Sequence, residues 1–113
     1  MSKAVSEYGS AEEYFDHISQ EVTPEQAKSL NGLFEFNIKG AGDWVFEFTE
    51  AGEVIEHSPV DDVQPDCTIT SPEKDWLDIV SGRTKPMSAV MTGKLKVQGA
   101  TNKAMKLQQI LKP

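Results

Sequence analysis

Few residues in the chain have types suited to chemistry. Nucleophilic catalysis needs a base beside a thiol or hydroxyl. The chain has one cysteine, Cys67, and two histidines, His17 and His57. Cys67 opens a short apolar alternation with Ile69, so a buried, inert thiol is the expected state. No motif brings either histidine to it. A transition-metal centre needs several imidazole or thiolate ligands at set spacings, and these three residues do not supply them. Asp61, Asp62 and Asp66 carry hard oxygen ligands, yet the spacing and glycine of a calcium loop are missing. A solvated acidic loop is expected there. Gly99-Ala100-Thr101-Asn102 leads into a helix bearing Lys103 and Lys106. Such a helix N-terminus can hold an anion. A capped helix with a solvated lysine is the simpler expectation.

The elements that carry these residues follow from hydrophobic spacing. Ser10 with Glu13 makes a capping box, and Tyr14, Phe15 and Ile18 form the stripe of a first helix. Thr23-Pro24-Glu25-Gln26 starts a second, which Asn31-Gly32 ends. The period then changes to two. Phe34, Phe36 and Ile38 alternate with polar residues, as do Trp44, Phe46 and Phe48, with a weaker strand over residues 53–57. Residues 58–66 read as a loop. Cys67 and Ile69 give a fourth strand, and Ser71 is expected to cap a helix with Pro72 in its first turn. That helix carries Trp76, Leu77, Ile79 and Val80 and stops at Gly82. A short helix from Pro86 has Met87, Val90 and Met91 on one side and Gly93 as its stop. Leu95 and Val97 mark a fifth strand. A last helix carries Met105, Leu107, Ile110 and Leu111.

Strands in a block rather than alternating with helices indicate an α+β fold. The expected architecture is one five-stranded, mostly antiparallel sheet with one face covered by about five helices. Residues 1–9 are expected to be frayed, and residues 10–113 to form one domain. The 113-residue chain carries a formal charge of −7, and a basic stripe for nucleic acid is missing. The same charge opposes long-range attraction to anionic membranes. No stretch is apolar enough to span a bilayer, and one cysteine permits no internal disulfide.

The phrase Cys67-Thr68-Ile69-Thr70, then Trp76-Leu77, Ser81-Gly82-Arg83, Gly93-Lys94-Leu95-Lys96-Val97-Gln98-Gly99 and Ala104-Met105-Lys106-Leu107 closely resembles the sterol carrier protein 2 domain. The resemblance runs from about Ala11 to the C-terminus. It implies helices standing off the sheet to leave a hydrophobic tunnel, with no cofactor and no bond made or broken. Its implied cargo is a lipid: fatty acid, fatty acyl-CoA, phospholipid or sterol. The sheet wall would come from Phe34, Phe36, Trp44, Phe46 and Phe48. Trp76, Ile79, Val80, Met87, Val90 and Met91 would come from the covering helices, Leu95 and Val97 from the last strand, and Met105 and Ile110 from the final helix. In some members of the family an amphipathic N-terminal helix is credited with membrane contact. Here that helix carries Glu12, Glu13, Asp16 and Glu21 and no lysine, so at most transient membrane contact is expected, with delivery by diffusion or a protein partner. The chain ends without a Ser-Lys-Leu signal, which favours the cytoplasm. Two rivals are an interaction or dimerisation module without its own ligand, and a thioester enzyme centred on Cys67.

Overall fold

The structure is a computed structural model, and it describes residues 9–58 and 64–111, with the side chains of residues 109–111 outside that description. Ser10 accepts a hydrogen bond from the Glu13 amide at 3.1 Å and starts α1 (Ala11–Asp16). The Glu13 carboxylate reaches one residue further back than a capping box requires, accepting from the Gly9 amide at 2.9 Å. The expected first helix is then broken at His17. Its Nδ1–H donates to the Glu13 carbonyl at 2.8 Å, while its backbone N–H bonds to the Tyr14 carbonyl. The side chain thus takes the acceptor that a continuing helix would use, and α2 (Ile18–Glu21) starts anew.

Thr23 and Gln26 close a full capping box on α3 (Pro24–Leu30). Asn31, in the left-handed region at φ 39°, turns the chain out of it, as Asn does at helix C-termini. Strands β1 (Gly32–Lys39), β2 (Gly42–Phe48) and β3 (Val54–His57) form the meander expected from the alternation. Then come β4 (Cys67–Pro72), α4 (Glu73–Val80), α5 (Pro86–Met91), β5 (Lys96–Gly99) and α6 (Thr101–Leu111).

The sheet order is β3-β2-β1-β4-β5. Only the central β1–β4 pair is parallel; β1–β2, β2–β3 and β4–β5 are antiparallel. The register places Phe34 opposite Phe46 and Cys67, and Phe36 opposite Trp44 and Ile69. Side chains alternate in facing along a strand, so these residues share the helix-covered face. Glu35, Asn37 and Glu47 share the other with His57, whose Nε2 lies 2.9 Å from Glu47 Oε1. Val45, opposite both Glu35 and His57, is the buried exception on that polar face.

The expected cap at Ser71 is corrected. The strand runs two residues further, because Ser71 and Pro72 pair with Ile38 and Lys39 in the parallel ladder. Pro72 becomes the N-cap of α4, and the buried Ser71 hydroxyl donates to the Pro72 carbonyl at 3.1 Å. At the other end of β4, Gly99 has φ +105°, and a Cβ there would lie 2.2 Å from the Asp66 carbonyl oxygen. Only glycine allows β5 to turn into α6 so close to another backbone.

Candidate functional site

The surroundings of Cys67 favour its protonated thiol. Its thiol is buried and donates to the Ala100 carbonyl at 3.0 Å. Burial pushes its pKa above the ordinary 9.0, and the Asp66 charge adds to the rise. A thiol held protonated is a poor nucleophile. Among the described residues no three His, Cys, Asp or Glu side chains gather as metal ligands. Asp61 and Asp62 lie outside the described residues. Asp66 instead accepts from the Leu33 amide at 2.8 Å. Lys103 donates to the Leu30 and Asn31 carbonyls, and Lys106 to that of Ser29 at 3.3 Å. Both lysines therefore serve the C-terminal end of α3, where cations are favoured.

What remains is the apolar layer between sheet and helices. Of the expected wall residues, Phe34, Phe36, Phe46, Phe48, Trp76, Ile79, Val80 and Leu95 are buried in one cluster. Trp44, Val90 and Val97 are partly buried against it. The inward position expected for three methionines is corrected: Met87, Met91 and Met105 are 58%, 80% and 53% exposed. Helix α5 buries Pro86 and Ala89 instead, and α6 buries Ala104 and Leu107. The Ile110 side chain lies outside the described residues.

The spacing argument left out the residue at the middle of the cluster. The ring of Phe15, on α1, has its centroid 4.6 Å from Trp44, 5.1 Å from Phe36, 5.3 Å from Tyr14 and 5.6 Å from both Phe46 and Trp76. Its place in the Tyr14-Phe15-Ile18 stripe was the available signal. Trp76 is 0% exposed and meets Phe36 at 5.6 Å and Tyr14 at 5.7 Å. Among the described residues its Nε1–H has no acceptor, and the buried Ser81 hydroxyl has no partner. A buried donor left unpaired is destabilising by about 1–3 kcal/mol, so Trp76 presents an unmet demand for an oxygen inside an otherwise apolar layer.

A mixed five-stranded sheet with one aromatic face under short helices, and buried polarity limited to single groups among the described residues, defines a class of small α+β domains built on one apolar layer. Residues 11–112 match the SCP-2 sterol transfer family, and the chain belongs to it. It is 38% identical over 89 residues to human sterol carrier protein 2, covering 74% of this chain and 16% of that protein. It is 30% identical over 106 residues to hydroxysteroid dehydrogenase-like protein 2 of Danio rerio, covering 91% of this chain and 25% of that protein. The chain thus spans a quarter or less of these curated relatives. Among solved structures, apo sterol carrier protein 2 of Yarrowia lipolytica superposes with a TM-score of 0.67 at 28% identity, covering 86% of this chain and 85% of that one. Palmitated SCP2L2 of Aedes aegypti superposes with a TM-score of 0.68 at 26% identity, covering 90% and 94%.

Proposed function

We propose that the chain is a non-enzymatic lipid carrier of the cytoplasm, taking a fatty acid, fatty acyl-CoA, phospholipid or sterol into a tunnel between the sheet and its helices. The carrying observation is the likeness, along most of both chains, to a relative whose structure is described as palmitated. The aromatic layer supplies the driving force, at roughly 25 cal/mol per Å2 of ligand surface removed from water. The unpaired Trp76 N–H favours a guest bearing an oxygen over a plain hydrocarbon. A second reading, a docking or dimerisation module, draws on one fact: the domain is a quarter or less of its curated relatives.

The test compares palmitate with hexadecane on the wild type and on Trp76→Phe. Palmitate affinity is expected to fall about tenfold, the size of one lost hydrogen bond to a charged group. Hexadecane affinity should stay level. An equal loss for both ligands would reduce Trp76 to a packing residue, and no uptake of either by the wild type would favour the module.

A further inference from the structure

The chain holds one cysteine and four methionines, and Met1 lies outside the described residues. The fold sorts the other four sulfurs by access. Oxidation of a sulfur side chain follows thiolate character and exposure, so a free cysteine is ordinarily the first target. Here the thiol has neither property. Strands β1 and β5 pair with β4 on either side of Cys67. Its thiol is buried and donates to the Ala100 carbonyl at 3.0 Å. The turn into α6 lies tight against it, since a Cβ on Gly99 would come within 3.0 Å of the Cys67 Cα. Burial also keeps the thiol protonated, and a thiol attacks far more slowly than a thiolate.

The methionines are placed the other way. Met91 is the most exposed, followed by Met87 and Met105. Met87 and Met91, four residues apart on α5, share one helix face. Helix α5 packs through Pro86 and Ala89. Its last turn is closed by the Thr92 hydroxyl, which donates to the Ser88 carbonyl at 2.9 Å. The two thioethers therefore stand in solvent on a helix that is held in place by other residues.

We propose that the thioethers of Met91 and Met87 form a reversible oxidation site, at which a peroxide turns the exposed face of α5 from apolar to polar while Cys67 stays reduced. A lone pair on the sulfur attacks one peroxide oxygen, and the O–O bond breaks as the S–O bond forms. The departing hydroxide takes the remaining proton from the transferred oxygen and leaves as water. Sulfur loses two electrons and the peroxide gains them. A methionine sulfoxide reductase reverses the change: a dithiol becomes a disulfide, and the oxygen leaves as water. The sulfoxide is polar and chiral, so the mark is carried on the surface of α5 and the core is untouched. This site is independent of the lipid-carrying reading, because it needs neither a tunnel nor a guest.

The experiment exposes the whole chain to hydrogen peroxide, folded and in urea, and locates the added oxygen by peptide mass spectrometry. In the folded chain Met91 and Met87 should gain one oxygen each while Cys67 stays free to react with a thiol reagent after unfolding. In urea the order should reverse, with Cys67 oxidised first and Met91 reacting at nearly its folded rate. Met87→Leu with Met91→Leu should lose most of the oxygen uptake of the folded chain and still keep Cys67 reduced. The oxidised protein should unfold at the wild-type urea midpoint, and a methionine sulfoxide reductase with dithiothreitol should restore both thioethers without unfolding. The proposal is overturned if Cys67 is oxidised first in the folded chain, or if Met91 and Met87 resist until urea is added. It is equally overturned if oxidation lowers the urea midpoint markedly, or if the reductase leaves the folded sulfoxides in place. Palmitate uptake measured before oxidation reads the carrier function separately.

Discussion

The two sides of the covered sheet face are built differently. Under α1 and α4 the layer is aromatic: Phe15 touches Tyr14, Phe36, Trp44, Phe46 and Trp76. Under α5 and α6 the buried helical residues among those described are Pro86, Ala89, Ala104 and Leu107, with the methionines turned outward. Burial free energy follows apolar area, so among the described residues the aromatic side contributes more of it than the alanine side. Elements with few buried contacts open most easily. In the proposed carrier, α5 and α6 form the side of the helical layer that yields to a guest.

The comparison is most severely tested by Phe15→Ala. Removing the hub ring should destabilise the domain by about 3–5 kcal/mol, read by urea unfolding; a loss under about 1 kcal/mol would mean that the rings around it pack well without it. A smaller effect is expected at Cys67, which lies on the boundary between the two sides. Its thiol pKa is raised by burial, so the unfolded chain ionises first. The thiol's contribution to stability is complete below the ordinary value of 9.0 and is lost as pH climbs through the higher folded value. Cys67→Ala should therefore flatten the alkaline fall in stability, and an unaltered fall would assign it to other groups. The smallest effect belongs to the outward methionines. Met87→Ser with Met91→Ser should shift stability by no more than about 0.5 kcal/mol per site. A larger loss would mean that α5 buries them in solution.

The aromatic side was the more legible in the sequence. Phe34, Phe36 and Ile38 alternate with polar residues, and that period dictates both the strand and its inward face. The Thr23 capping box was equally local and equally plain. Two other readings failed because distant pairing or packing decided them. Ser71-Pro72 has the form of a helix start, but the ladder to Ile38 and Lys39 claims both residues. Met87 and Met91 are apolar at helical spacing, yet α5 approaches its neighbours through Ala89, and hydropathy alone does not rank a small alanine above a methionine. Phe15 appeared as one residue of a stripe, since its five ring contacts come from four separate elements and no window of sequence contains them. The break at His17 depended on a ring nitrogen capturing a helical carbonyl, which spacing does not reveal.

The central claim is that the layer between sheet and helices accepts a hydrocarbon guest. Native mass spectrometry of the folded chain equilibrated with palmitate addresses it most directly. The account predicts a single-palmitate adduct that Phe46→Asp weakens, because that ring faces the buried layer. A wild-type spectrum holding only the apo mass would contradict it, as would an adduct unchanged in a folded Phe46→Asp variant.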